Sequence, residues 1–200
     1  MSNHVRSIKS DLWIDGSFRK FDASRKVVWF YLHTGYHSSE TALYSCPIDD
    51  IALFCSISKK KTASIIKDFI DLGLVDYDFD TEEILVKDYY DQHSPSSGLF
   101  FYMYLQDLEK IKSKKLIDGV VEMAKKYRIS TAFYLALTEV RPDLNREDFK
   151  IIKTDKSDEE IRNAGLRGRT IALENKKASS EAATPIANND DQNIDPDLPF

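Results

Sequence analysis

The sequence is poor in the residues on which several function classes depend. Only two of its 200 residues are cysteine, Cys46 and Cys55. That excludes a disulfide framework and a four-cysteine zinc site, and it suits a reducing compartment. Glycine is scarce at seven residues and forms no glycine-rich, phosphate-cradling loop. No run approaches the roughly eighteen apolar residues of a membrane span, and the opening Met-Ser-Asn-His-Val-Arg lacks the apolar stretch of a secretory signal. A cytoplasmic protein with no membrane partner is expected. Of four histidines, His33 and His37 are spaced i,i+4 but straddle Gly35, and His4 and His93 lie far away. No third metal ligand is evident, and the carboxylates form no nuclease or polymerase constellation. The expectation is no enzyme, no metal and no cofactor.

Against these absences stands a chain that can build a core. It is 42% hydrophobic and 12% aromatic. Its net charge of -5 is uneven. Residues 1–94 carry 11 basic and 15 acidic groups, residues 95–177 carry 17 and 13, and residues 178–200 carry none and 5. A basic middle hints at nucleic acid, and an acidic end hints at an interaction tail. Three parts follow: 1–94, 95–177 and 178–200.

The first part predicts a winged helix-turn-helix. Asp22 precedes a helix with apolar Val27, Val28, Tyr31 and Leu32. Ala42–Tyr44 reads as a short strand. Pro47 opens a helix with Ile48, Ile51 and Ala52 on one face, ending at Cys55. After the break Ser56-Ile-Ser58, Ser58 caps a helix with Ile65, Ile66, Phe69 and Ile70 inward, and Gly73 stops it. Leu74–Tyr77 and Glu83–Lys87 form a hairpin. In this arrangement the second helix presents its N-terminal side chains to the major groove. Here those are Lys59, Lys60, Lys61 and Thr62, with Ser64 and Lys67 beyond. Three lysines oppose the helix dipole, a cost that phosphate contacts would explain. The hairpin carries Asp76, Asp78, Asp80, Glu82 and Glu83, so the wing is not expected to track the DNA backbone.

Specific segments carry a resemblance. Asp11-Leu-Trp-Ile-Asp15, Trp29-Phe-Tyr-Leu-His33, Ile51-Ala-Leu-Phe54, Ile70-Asp-Leu-Gly-Leu-Val75, the Thr81-Glu-Glu-Ile84 strand and Tyr89-Tyr-Asp-Gln-His93 lie within residues 8–120. This stretch resembles the N-terminal domain of phage replisome organisers, replication-initiation proteins related to DnaD. The resemblance implies binding of origin or forked DNA and recruitment of helicase-loading factors. Asp88-Tyr-Tyr90 stands where the family often has asparagine and tryptophan, and no complete DnaD-type C-terminal domain follows.

The middle part predicts amphipathic helices. Leu108, Ile111, Leu116, Val120 and Val121 face inward, and Lys112, Lys114 and Lys115 are candidate DNA contacts on the wet side. The cluster Phe100, Phe101, Tyr102 and Tyr104 reads as core or as the seam of a homo-oligomer, with base stacking as the other option. Ser130–Leu137 predicts a helix ended by Arg141-Pro-Asp143, and Asp158–Glu174 another, with Arg162, Arg167 and Arg169 as a second phosphate set.

From Ala178 the composition is that of a disordered acidic tail. It ends Ile194-Asp-Pro-Asp-Leu-Pro-Phe200, which resembles the acidic tip of bacterial single-stranded-DNA-binding protein (SSB). Asp195 and Asp197 offer charge to a basic rim. Leu198, Pro199 and Phe200 offer an apolar end and a carboxylate, and the prolines reduce the entropy lost on docking. The resemblance implies docking to host replication or repair proteins that read such tips. Three functions remain: a replisome organiser, a substitute for host SSB, and an adaptor or decoy that binds no DNA.

Overall fold

The structure is a computed structural model that describes residues 7–92, 101–167 and 170. Two short 3-10 turns, Ser10–Ile14 and Phe18–Lys20, lead into α1, Ala23–Thr34. Asp22 caps α1 by accepting the Arg25 amide at 2.8 Å, and that bond holds its carboxyl below the usual range. Next come β1 (Leu43–Ser45), α2 (Ile48–Cys55), α3 (Lys59–Asp71), β2 (Val75–Asp78) and β3 (Glu83–Val86). They are followed by α4 (Tyr89–Gln92), α5 (Phe101–Glu109), α6 (Lys114–Lys126), β4 (Arg128–Ser130), α7 (Thr131–Val140), a 3-10 turn at Arg146–Asp148, β5 (Lys150–Ile152) and a helical stretch over 158–167. The chain is mostly helical with a small β part, as its sequence predicts.

The first three strands form an antiparallel sheet in the order β1-β3-β2. Ile84 in the middle strand faces Tyr44 on one side and Tyr77 on the other. The turn between α2 and α3 is made by Ser56 in the left-handed region at φ 54°. Gly73, at φ 71°, ends α3 in a Schellman motif: its amide reaches the Ile70 carbonyl at 2.9 Å and the Leu74 amide reaches Phe69 at 2.9 Å.

One continuous buried cluster runs from Leu12 to Ile161, so the core crosses the boundary expected at residue 94. α6 lies on the sheet, and α5 packs against α7. Gly119 allows the close approach of α6, since a Cβ there would stand 2.8 Å from Leu85 Cδ2. Glu83 ties the same joint, although its sequence neighbourhood reads as part of an outward-facing acidic wing. It is 2% exposed, and its oxygens accept the amides of Lys112 at 2.9 Å and Ser113 at 2.8 Å and the Thr81 hydroxyl at 2.9 Å. A pairing not anticipated from the sequence joins β4 and β5 in parallel, with Ile129 opposite Ile151.

Candidate nucleic-acid interface

α3 begins where Ser58 Oγ accepts the Lys61 amide at 3.4 Å. Its inner face is Thr62, Ile65, Ile66 and Phe69. With this face inward, Lys60, Ser64 and Lys67, spaced i, i+4 and i+7, fall together on the outer face and are exposed. Neither lysine makes an ion pair among the described residues.

The expected lysine trio is not a uniform patch. Lys59 Nζ pairs with Asp49 at 2.8 Å, and that bond raises its pKa. Lys61 Nζ donates to Ser24 Oγ of α1 at 2.6 Å. Thr62 requires a correction: it is fully buried, and its hydroxyl has no hydrogen-bond partner among the described residues. It belongs to the core side of the helix, where the apolar period continues back by one turn, and it cannot touch DNA. Beside Lys61, Arg25 of α1 bridges Asp22 at 2.9 Å and Asp68 of α3. Sequence reasoning missed this clamp, because partners 43 residues apart leave no local signal.

The wing is less acidic in practice than in composition. Besides buried Glu83, Asp76 pairs with Lys87 at 2.8 Å. Asp78 Oδ1 accepts the Asp80 amide at 3.0 Å and the Thr81 amide at 3.3 Å, making the turn itself. A bond from Ser113 and these amides hold the Asp78 carboxyl below its usual range. Asp80 and Glu82 remain exposed. The wing turn also links the two lysine sets. Glu82 acts electrostatically on Lys59, and Asp78 is acted on by Lys115. Lys112, Lys114 and Lys115 are exposed around the start of α6.

The other expectations divide. Phe101 and Tyr104 are core, with Tyr104 against Phe133 at 4.9 Å between ring centres. Arg162 pairs with Glu139 at 3.2 Å, and Arg167 is exposed. Phe100, Arg169 and the whole tip, Asp195, Asp197, Leu198, Pro199 and Phe200, lie outside the described residues. His33 is a core residue stacked on Trp29 at 3.7 Å, and its Nε2 lies 3.2 Å from Asp88, which also accepts the Trp29 indole at 3.0 Å. His37 pairs with Asp50 at 3.1 Å. Among the described residues no group of three or more His, Cys, Asp or Glu could hold a metal, and no helix is long and apolar enough to cross a membrane. Comparison with family models, curated proteins and solved structures finds no match.

Proposed function

We propose that this chain is a DNA replication protein of the phage replisome-organiser type. In this reading α3 binds DNA, and the Ile194–Phe200 segment recruits host replication or repair factors. One observation carries the DNA-binding part. Lys60, Ser64 and Lys67 form an exposed face, without an ion pair among the described residues, on the second helix of a helix-turn-helix backed by a hairpin. Lysines at such a face contact phosphate, and binding then weakens steeply with salt. Lys112, Lys114 and Lys115 extend the positive surface on the far side of the wing turn. The recruiting part rests on the tip sequence alone.

The second reading is an adaptor that binds no DNA. It is favoured by the pairing of Lys59 with Asp49 and by exposed Asp80 and Glu82 at the wing turn. Substitution for host SSB has less support, because Phe101 and Tyr104 lie in the core and cannot stack on bases.

The test is fluorescence anisotropy of the full chain with matched single-stranded, duplex and forked DNA at two salt concentrations. Preference for duplex or fork, lost on raising salt, supports the organiser. Preference for single strands promotes the SSB substitute, and no binding leaves the adaptor. Removal of Leu198–Phe200 should end capture of host factors and leave DNA binding in place.

A further inference from the structure

A groove of about 510 Å³ opens between α5, α6 and α7. Leu108, Ile111, Ile117 and Val140 line it with apolar surface, and Lys114, Asp118 and Arg141 complete the lining. Arg141 is held in place by Asp118 and by Asp143 at 2.9 Å, and Lys114 makes no ion pair among the described residues. Lys112 and Lys115, beside Lys114 at the start of α6, are exposed, while Lys110 is paired with Asp107 at 3.9 Å. Arg141 is neutralised by its two carboxylates, so among the described residues the free positive charge beside the apolar groove is that of Lys112, Lys114 and Lys115, and it calls for a ligand in which apolar side chains alternate with carboxylates.

This chain carries such a ligand. Residues 178–200 hold five acidic and no basic groups, and Ile194-Asp-Pro-Asp-Leu-Pro-Phe200 alternates the two kinds of side chain. We propose that the groove between α5, α6 and α7 is the docking site of the chain's own Ile194–Phe200 segment. Leu198 and Phe200 would meet the apolar lining, and Asp195 and Asp197 would meet Lys114 and its neighbours.

The path of the chain supports this occupant. The helical stretch over 158–167 is pinned beside the groove, since Arg162 bonds Glu139, the residue before Val140. It also packs on α5 closely enough that a Cβ at Gly165 would stand 3.0 Å from the Phe101 ring. The 30 residues 171–200 span up to about 100 Å when extended. That exceeds the roughly 30–40 Å breadth of a domain this size. Attachment also replaces a bimolecular encounter with an effective concentration of order millimolar. Docking there would cover Lys114 and shield Lys112 and Lys115. A host factor that captures the segment would thereby uncover those lysines for DNA. The inference rests on the proposed role of Ile194–Phe200 as a docking peptide, and not on DNA binding.

The test places a benzophenone amino acid at position 200 of the full chain and maps photo-cross-links by mass spectrometry. Cross-links to peptides containing Ile111, Ile117 or Val140, within a single chain, are expected. Lys114→Glu, at an exposed position, and Ile117→Glu should each lower their yield about tenfold. Circular dichroism checks that both variants fold. Cross-links absent, scattered over the surface, confined to covalent dimers, or indifferent to both substitutions overturn the proposal. DNA anisotropy and capture of host factors on the same samples test the parent function separately, so the two failures are told apart.

Discussion

Glu83→Ala is the substitution that most directly probes how the winged helix and its extension are joined. The carboxylate is 2% exposed and accepts three hydrogen bonds: from the Lys112 amide at 2.9 Å, the Ser113 amide at 2.8 Å and the Thr81 hydroxyl at 2.9 Å. Hydrogen bonds to a charged group contribute about 1.5–3 kcal/mol each. The three share one acceptor, so their contributions do not add in full. Two of the donors are backbone amides at the entrance to α6, where no helical carbonyl can replace the lost partner. A loss of about 3–5 kcal/mol follows for alanine, a large part of the 5–15 kcal/mol typical of a domain. Glu83→Gln keeps the volume and one acceptor oxygen but turns an N–H2 toward a donor, and should cost about 1–3 kcal/mol. Urea unfolding gives both values, and hydrogen exchange reads the Lys112 and Ser113 amides individually. A loss below about 1 kcal/mol for alanine, or no gain in exchange at those two amides, refutes the joint.

Four further outcomes are expected. Thr62→Val removes a buried hydroxyl that has no partner among the described residues, so thermal melts should show equal or higher stability, by up to about 1 kcal/mol, with unchanged DNA affinity; a fall in affinity with the fold intact would restore Thr62 as a contact. Lys60→Ala should weaken duplex binding and reduce the salt slope by about one unit, whereas Lys59→Ala, already paired with Asp49, should do less; equal effects would remove the assignment of the outer face. Gly119→Ala sets a helix-propensity gain of about 1 kcal/mol against overpacking of about 1–3 kcal/mol on fully buried Leu85, and net stabilisation in urea would contradict the close seating of α6. Burial raises the Cys55 thiol to about 11 and the Cys46 thiol further; alkylation of the folded protein at pH 8 should be about a hundredfold slower than in urea, and fast native labelling would show that these thiols are not enclosed.

The first half of the fold was legible because each element carries a local signal. Asp22 and Ser58 announce helix starts, Gly73 announces a stop, and the hairpin has alternating burial in its first strand. The helix expected over Ser130–Leu137 is α7, with Ser130 as its cap, Oγ accepting the Phe133 amide at 3.2 Å. The misses share a cause, which is dependence on distant partners. β4 and β5 are three residues each and pair across the whole of α7, too short for a period and too far apart for a turn signal. Thr62 was placed outside because helix-turn-helix logic assigns the first turn to DNA. The spacing Thr62, Ile65, Ile66, Phe69 already put it inside. Glu83 could not be recognised as buried, since its partners are main-chain amides that any residue supplies. The change from acidic to basic composition near residue 94 suggested a division of the chain there, while one buried cluster includes residues on both sides of it.

Burying Glu83 also changes the electrostatic question that the wing poses. With Glu83 inside, Asp76 paired and Asp78 half-buried and bonded to the turn amides, the exposed carboxylates at the turn reduce to Asp80 and Glu82. Glu82 acts on Lys59 of α3, and Asp78 of the same turn is acted on by Lys115 of α6, so the turn neighbours both lysine sets. A straight duplex that touched both sets would pass the turn. At about 6 Å and an effective dielectric near 20, each carboxylate would cost about 3 kcal/mol against a phosphate before salt screening. That is as much as a lysine at the same distance returns, so the two acids cancel two favourable contacts. DNA whose axis bends or divides at the turn keeps the lysine contacts and avoids the acids. In the proposed DNA complex the wing would therefore act as a wedge between the lysines of α3 and those of α6. Forked DNA, set against an unbranched duplex of equal charge, is the comparison in which that wedge becomes measurable.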